Sequence, residues 1–270
     1  MRTVVFVADD LGMTAGVNRG IARAAASGLV RETSLLVTGM AVDDGVRIAR
    51  DHGLCIGLHL SLTLGKALTG PIRGLTDRAG NFRSLGPVLL RTLLRAADRA
   101  AIAREVTAQL ARAKELVGPL THINGHHHVH VMPVVRDVVF AAAAAAGVRW
   151  TRLPREHRAA GLALTPVALL LASLSRGAAA AVRNSGLRTL PFLGITTEAR
   201  DDFAARAQRI AANLPDAPCE WMVHPHEPDA DMAAIDGMGY RRPHAAELAF
   251  LADPAAAERC GLRCVRFADV

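Results

Sequence analysis

Short runs of almost continuously apolar residues alternate with longer helical stretches along the whole chain. The first run, Thr3–Ala8, is followed by the helical stretch Val17–Ala26, and the pattern recurs about eight times in 270 residues. Strands that are apolar on both faces and separated by helices are typical of parallel βαβ units. We therefore predict one α/β domain over residues 1–270, with mostly parallel strands in a (β/α) barrel-like sheet rather than an open doubly wound one.

The individual elements follow from this pattern. Strands are predicted at Thr3–Ala8, Thr33–Thr38, Leu54–Leu60, Thr121–Asn124, Val148–Leu153, Leu187–Leu193, Glu220–Val223 and Leu262–Phe267. Helices are predicted at Val17–Ala26, Asp43–His52, Ala101–Val117, Pro133–Ala146, Asp201–Asn213 and Pro243–Ala252. The glycine-rich stretch Thr63–Leu85 predicts a long loop, and long loops inside compact domains are usually functional.

The composition argues against several classes of function. Hydrophobic residues make up 51% of the chain and the net charge is +7, but the arginines are scattered and aromatic residues make up only 4%. Nucleic-acid binding usually needs a basic stripe with stacking aromatics, so no nucleic-acid partner is expected. The four cysteines form no Cys-x-x-Cys pair and require no oxidising compartment.

No membrane-spanning or export segment is predicted. The first apolar run, Thr3–Ala8, is too short for the core of a signal peptide, so a cytoplasmic location is expected. The longest apolar stretch, Leu162–Leu174, is shorter than the ~20 residues that a bilayer requires. We interpret it as a buried helix, with an amphipathic lid or a lipid-facing patch as the alternative.

Polar side chains follow several predicted strands at the point where each strand ends. Asp9 and Asp10 end the first strand, His59 lies near the end of the third, and His224 follows the seventh. In a (β/α) barrel the carboxyl ends of the strands meet at one rim, which carries the active site. These side chains are therefore predicted to converge.

The densest signal is a histidine run, because five of the eleven histidines lie between positions 122 and 130. If the backbone stays extended, the spacing places His126, His128 and His130 on one face. Imidazole is the commonest protein ligand for a metal and the usual proton carrier near neutral pH. We expect at least one of the three to be a metal ligand.

One carboxylate with two imidazoles leaves positions open for water and substrate, as in catalytic metal sites. Because adjacent residues on a strand point to opposite faces, one of Asp9 and Asp10 can bind metal while the other stays free as a base. A histidine such as His224 can then protonate the leaving group. The pattern favours metal-assisted hydrolysis of an amide or ester.

Four segments together resemble one family. They are Ala8–Gly12, Gly57–Lys66, Thr121–His130 and Glu220–Pro225, in the order in which the YdjC-like (ChbG/HpnK) carbohydrate deacetylases carry them. The resemblance covers nearly the whole chain. It implies a fold like that of the polysaccharide deacetylases and removal of the N-acetyl group from N-acetylglucosamine units of chitooligosaccharides or of a glycosylated hopanoid. The segment Gly65–Thr69 resembles the chitooligosaccharide branch more.

The resemblance also implies roles for individual residues. Asp10, His59 and His126 would hold one divalent ion, Asp9 would be the base and His224 the acid, with His128 and His130 as competitors for the acid role. The family includes Mg²⁺ enzymes, whereas two imidazoles favour Zn²⁺. This chain departs from the family in carrying an asparagine, Asn124, where an aspartate is usual.

Other assignments stay open at this point. His128, His130, Arg152 and Arg155 are candidate substrate contacts, the arginines to sugar hydroxyls or to an anionic substituent, with ordinary solvent-exposed charge as the alternative. The main hypothesis is a metal-dependent N-deacetylase that releases acetate from acetylated amino sugars. The alternatives are a deacetylase of a lipid-linked sugar and a catalytically inactive sugar-binding protein. A homodimer is also an open alternative.

Overall fold

Eight parallel strands form a single curled sheet. The structure is a computed structural model that describes residues 1–161, 165–195, 202–235 and 245–270. The strands are β1 (Arg2–Leu11), β2 (Val30–Leu35), β3 (Cys55–Leu60), β4 (His122–Gly125), β5 (Trp150–Thr151), β6 (Phe192–Leu193), β7 (Cys219–Val223) and β8 (Leu262–Cys264). Their order is β5-β4-β3-β2-β1-β7-β6, and β8 also pairs with β1. Every pair is parallel, as predicted.

The two edge strands of this sheet approach each other, so that the sheet is nearly closed. Isolated parallel bridges join Trp150 to Arg188 and Glu156 to Phe192. The amide of His157 donates to the carbonyl of Phe192 at 2.7 Å. The barrel-like α/β fold is thus confirmed. We call the line between β5 and β6 the seam, because two isolated bridges join the edges of the sheet there and no continuous ladder does so in the described residues.

Helices cover the outside of the sheet. In the described residues they are α1 (Ala15–Ala26), α2 (Val42–Asp51), α3 (Leu85–Leu93), α4 (Arg99–Val117), α5 (Val135–Ala145), α6 (Pro166–Ser185), α7 (Phe203–Ala212), α8 (Ala230–Ile235), α9 (Ala245–Leu251) and α10 (Ala256–Arg259). The predicted helices at Asp201–Asn213 and Pro243–Ala252 correspond to α7 and α9, and their first residues lie outside the described ranges.

Most predicted elements differ from the structure by a few residues in their bounds, and β2, β5 and β6 are examples. β2 starts at Val30, three residues before the predicted start, and β5 and β6 are only two residues long. Edge strands have a partner on one side only, which explains their short ladders. Residues 166–174 of the apolar stretch Leu162–Leu174 lie in α6, and residues 162–164 lie outside the described part.

α6 is the one helix in the described residues that is long and apolar enough to cross a membrane by length and composition, with 33% of its most apolar window buried. Core helices of globular proteins can have the same length and composition. α6 packs against α5.

The side chains of β1 divide between two cores. Val4, Phe6 and Ala8 pack into the large core beneath the helices, whereas Val5 and Val7 pack with Trp150, Val265 and Phe267. Since Trp150 belongs to a strand four places away in the sheet, the second group lies on the concave face. The same alternation carries Asp9 to the concave face, at the carboxyl end of the sheet.

Candidate metal centre and active site

A bulge at the end of β1 presents both aspartates at the carboxyl end of the sheet. Ala8 pairs with Thr33 and Leu11 pairs with Leu35, so two residues of β1 oppose the single residue Ser34 of β2. Asp10 adopts the left-handed region, with φ of 68°. Bulges of this kind often re-aim side chains next to active sites. Here the bulge gives the adjacent carboxylates separate sets of partners.

Asp10, His59 and His126 form a cluster that we call the metal cluster. One ligand atom from each residue lies within 4.8 Å of the others, and all three residues are buried. Asp10 Oδ1 is 3.1 Å from His59 Nε2 and 2.8 Å from His126 Nδ1. Segments from β1, β3 and the end of β4 thus meet, as the sequence predicts. The set of one carboxylate and two imidazoles fits a divalent ion.

The ring of His59 is oriented by side chains behind it. His59 Nδ1 lies 2.7 Å from Asn124 Oδ1 and 3.1 Å from Ser34 Oγ. The amide oxygen accepts, so Nδ1 carries the proton and Nε2 is left to face Asp10. Asn124 Nδ2 donates to Asp9 Oδ1 at 3.0 Å. Asn124 therefore connects the metal cluster to the second aspartate, and outer partners of this type fix the tautomer of ligating imidazoles.

Charges within the metal cluster stabilise one another. Burial would raise the pKa of Asp10, but the charges of His126 and His59 lower it well below its usual value. Burial would lower the pKa of His59, but Asp10 and then Asp9 raise it. A proton on His59 supplies part of the positive charge that a bound ion would supply. Binding an ion must therefore displace that proton.

Asp9 is held by an arginine. Arg152 donates to Asp9 through Nη1 at 2.5 Å and through Nη2 at 3.0 Å, and its Nε donates to Glu220 at 2.6 Å. Burial would raise the pKa of Asp9, but the charge of Arg152, followed by that of His59, lowers it well below its usual value. Asp9 is therefore an ionised carboxylate in a fixed orientation.

This position of Arg152 corrects a prediction. The residue is only 1% exposed, so it is not a solvent-exposed charge, and its guanidinium is bonded to Asp9 and Glu220. It bridges two buried carboxylates because each of them needs a cation. Arg155, the other candidate arginine, is exposed and lines a cavity at the seam of the sheet.

His224 faces both aspartates from the end of β7. Its Nε2 lies 4.0 Å from Asp9 Oδ2 and 4.0 Å from Asp10 Oδ2. Its backbone N–H donates to Glu247 Oε1 at 3.2 Å. His224 is thus placed across the gap from the two carboxylates, where a small group bound between them would meet its ring.

The backbone of the histidine run is not extended, contrary to the assumption made from its spacing. Residues His126–Val131 form a 3-10 turn in which His127 and His128 are left-handed, with φ of 51° and 56°. The three alternate histidines therefore do not share a face. The turn sends His126 into the metal cluster and separates it from His130.

The other histidines of the run have other partners. His127 Nδ1 lies 3.0 Å from Thr63 Oγ1, in the long loop, and its ring packs on His126 with centroids 4.1 Å apart. His130 is buried, and its Nε2 donates to the carbonyl of Arg152 at 3.0 Å. Burial lowers the pKa of His130 to about 3. A neutral His130 supports the end of β5 through this bond to the carbonyl of Arg152.

The predicted long loop is confirmed and is anchored by a buried acid that the sequence does not reveal. Glu105, on α4, accepts from the amides of Leu68 and Thr69 at 3.0 and 2.9 Å and from the Thr69 hydroxyl at 2.7 Å. Glu220, within the apolar run Cys219–Val223, is likewise missing from the predicted site. A charged residue inside a predicted buried strand is the signal that would have found Glu220.

Comparison with known proteins identifies relatives over nearly the full length. A sequence profile described as YdjC-like protein matches residues 3–261. A mouse protein named carbohydrate deacetylase is 37% identical over 256 residues, which cover 87% of this chain and 82% of the mouse protein. The human protein of the same name is 35% identical over 256 residues and covers 88% of this chain, with 79% of its own length matched.

Solved structures share the fold. A protein from Enterococcus faecalis, provisionally assigned to cellobiose-phosphate cleavage, superposes with a TM-score of 0.73 at 21% identity, over 99% of this chain and 98% of that one. The lactam utilization protein from Thermus thermophilus superposes with a TM-score of 0.51 at 17% identity, over 99% and 100% of the two chains. At these identities the likeness establishes the architecture alone.

Proposed function

The chain belongs to the YdjC-like family, and from that premise we propose that it is a metal-dependent deacetylase of acetylated amino sugars. It is a carbohydrate deacetylase, a hydrolase that acts on an amide. The proposed substrates are N-acetylglucosamine units of small chitooligosaccharides, the proposed product is acetate, and the proposed location is the cytoplasm. The observation that carries the proposal is the metal cluster at the carboxyl end of the sheet.

The donor set of the metal cluster suits a transition ion. Two imidazoles and one carboxylate favour Zn²⁺ or a similar ion, whereas Mg²⁺ prefers oxygen ligands. When bound, such an ion supplies Lewis acidity, which polarises a carbonyl oxygen and makes water more acidic. Asp10, His59 and His126 would hold it, and three protein ligands leave room for substrate.

Asp9 is the proposed acceptor of the proton that the attacking water loses. In the described residues its Oδ1 accepts from Ser34, Asn124 and Arg152, whereas Oδ2 accepts from Arg152 alone and faces His224. Oδ2 therefore has the capacity to accept a further proton. Its low pKa keeps Asp9 ionised at neutral pH, and a weak base suffices when the water is already acidified.

His224 is the proposed donor of a proton to the departing amine. Its Nε2 is equidistant from the carboxylates of Asp9 and Asp10, so a proton accepted by Asp9 can be matched by one given from the opposite side. His128 is the remaining competitor for this role. His130 is withdrawn from it because its Nε2 is bonded to the carbonyl of Arg152.

Product analysis by mass spectrometry tests the proposal. The purified protein is incubated with a panel of N-acetylated mono-, di- and trisaccharides, with and without a chelator, and then with Zn²⁺ or Mg²⁺ added back. We expect the loss of one acetyl group per product, inhibition by the chelator, and recovery with Zn²⁺. Unchanged masses across the panel in metal-loaded protein would refute deacetylation of these sugars. Full activity in the chelator would refute the metal.

A lipid-linked acetylated sugar, of the hopanoid type, is the second candidate substrate. It is favoured by exposed apolar side chains at the start of α6, where Val167 is 60% exposed and Leu169 and Leu170 lie beside it. Such a substrate predicts that the protein sediments with liposomes. A strict preference for soluble di- or trisaccharides in the same panel would count against it.

The third hypothesis, an inactive sugar-binding protein, rests on Asn124 alone. In the structure Asn124 bonds both His59 and Asp9, so the amide completes the network around the metal cluster. The asparagine therefore gives no support to an inactive site. Turnover in the same panel decides between the two.

A further inference from the structure

A large cavity lies at the seam between β5 and β6, beside the metal centre. Its volume is about 970 Å³, near the upper end of the range for ligand sites. The segment after β5 forms one wall, α6 a second, and the residues leading into β6 the third. Phe192, in the last wall, lies 5.4 Å from the guanidinium of Arg152 and 6.1 Å from the ring of His128. The cavity therefore shares a wall with the active site.

Three arginines line this cavity, against a single carboxylate among the lining residues. Arg155 and Arg158 come from the segment after β5, and Arg176 comes from α6. None of their side chains has a hydrogen-bond or ion-pair partner in the part of the chain that the structure describes. Glu156 is the one carboxylate among the lining residues, and it accepts from the amide of Gly194 at 3.0 Å. The walls thus carry an excess of two positive charges.

A buried hydroxyl borders the same cavity. Ser175, next to Arg176 on α6, is 2% exposed, and its Oγ has no hydrogen-bond partner among the described residues. Buried polar atoms in proteins are almost always paired, so an unpaired one calls for a missing partner. The charges of two of these arginines also act on the neighbouring His157. Burial, followed by the charges of Arg158 and Arg155, lowers the pKa of His157.

We infer that this seam cavity is a second ligand site, separate from the metal cluster, which binds an oxyanion such as a phosphate or a carboxylate. The planar guanidinium groups of these arginines match the oxygen pairs of such anions. The anion is either free in solution or a substituent of a sugar that is bound at the metal centre across Phe192. The second source alone rests on the proposed function.

Calorimetric titration with inorganic phosphate tests the site. Three full-length proteins are compared: wild type, the cavity variant Arg158→Gln/Arg176→Gln, and the control variant Arg104→Gln/Arg183→Gln. The control removes two exposed helical arginines outside the cavity, so both variants lose the same charge. We expect phosphate affinity to fall about tenfold for each cavity arginine removed, and to stay near the wild-type value in the control.

The result that overturns the inference is equal phosphate affinity in the two variants, or no binding to wild type. Phosphate held only at the metal cluster would bind all three proteins alike and counts as the same refutation. Retained, cavity-dependent phosphate binding without acetate release from any saccharide would instead refute the proposed function and leave the site standing.

A second measurement distinguishes the two sources of the anion. The ratio of kcat/KM for a phosphorylated or carboxylated N-acetylated saccharide to that for its neutral parent is determined in the same three proteins. A ratio that falls about tenfold or more in the cavity variant alone assigns the anion to the substrate. A ratio common to all three, with cavity-dependent phosphate binding, assigns the site to a free anion.

Discussion

Two buried clusters of acid and imidazole lie at opposite ends of the same sheet. The metal cluster is at the carboxyl end. At the other end Glu32, Thr121, His122 and Phe267 form a group that we call the C-terminal clamp. Glu32 Oε2 is 3.5 Å from His122 Nδ1 and accepts from the Thr121 hydroxyl at 2.9 Å. Glu32 Oε1 accepts from the amide of Phe267 at 3.0 Å.

The two clusters differ in the partners of the acidic side chain. Both oxygens of Glu32 accept from donors of the protein itself, and His122 packs against the ring of Phe267 at 5.0 Å. The clamp therefore fastens the end of the chain to the sheet. In the metal cluster Asp10 contacts two imidazoles, and the ring of His59 is held from its other side by Asn124 and Ser34. Similar side chains thus have a structural role at one end of the sheet and a proposed chemical role at the other.

The largest expected effect comes from Asp10→Asn, which keeps the shape of the side chain and removes its charge. Because Lewis-acid stabilisation is worth several kcal/mol, deacetylation is expected to fall on the order of 10³-fold. Acetate release and metal content are measured together, with circular dichroism as the check on folding. His59→Ala is expected to act in the same way. Full activity in both variants would overturn the assignment of the metal cluster.

Next in size is Arg152→Met, which leaves the carboxylates of Asp9 and Glu220 buried without a cation. The free energy of unfolding is expected to fall by about 3–5 kcal/mol, and turnover by about 10²-fold because Asp9 loses its orientation. Urea unfolding and steady-state kinetics measure the two effects. Arg155→Met, in the same segment but exposed, is the control for stability and is expected to stay within about 0.5 kcal/mol of wild type.

The pH dependence of that stability difference follows from the lowered pKa of Asp9. The stabilisation of the ionised Asp9 is complete above the ordinary carboxyl pKa of 3.8 and is lost as the pH falls below it. The gap in stability between wild type and Arg152→Met should therefore narrow in acid below that pH. A gap that stays constant down to acid would show that Arg152 does not act through Asp9.

A smaller effect is expected from Asn124→Ala, which removes the acceptor behind His59. Loss of an outer partner of a ligating imidazole typically weakens metal binding by about 10–100-fold. Competition titration with a zinc indicator measures the affinity, and Asn81→Ala, in the exposed part of the long loop, is the matched control. Wild-type affinity in Asn124→Ala would mean that Ser34 alone orients the ring.

The smallest effect on activity is expected from Glu32→Gln in the C-terminal clamp. The glutamine side chain has one oxygen, so it cannot accept from both the Thr121 hydroxyl and the Phe267 amide. The free energy of unfolding should therefore fall by about 1–3 kcal/mol. Turnover per folded molecule should equal that of wild type. A large loss of turnover in the folded protein would remove the distinction between the two clusters.

Much of the fold could be predicted because its signals are local. Continuous apolar runs predict buried parallel strands, and all eight predicted strands exist in the described residues. The start of β2 was missed because Arg31 and Glu32 interrupt the apolar pattern. Glu32 is tolerated there because the C-terminal clamp satisfies both of its oxygens, and those donors come from distant parts of the chain.

The sequence predicts which residues cluster at the site, but it does not predict how their side chains are bonded to one another. Strand ends place Asp10, His59 and His126 together, since the topology alone brings those ends to one rim. The pairing of Arg152 with Asp9 depends on how far the sheet curls between β1 and β5, which no local pattern encodes. The left-handed turn at His127 was equally hidden, because non-glycine residues adopt it only when tertiary contacts enforce it.

The extra residue at the end of β1 has a consequence for attempts to make this protein more robust. Removing one of the two aspartates would let β1 and β2 pair residue for residue beyond Ala8 and would relieve the left-handed backbone at Asp10. Selection for heat resistance alone should therefore favour shortened, catalytically silent descendants. Engineering of a more stable enzyme therefore needs a screen for turnover at every round. Without that screen, we expect the bulge at the end of β1 to be among the first features lost.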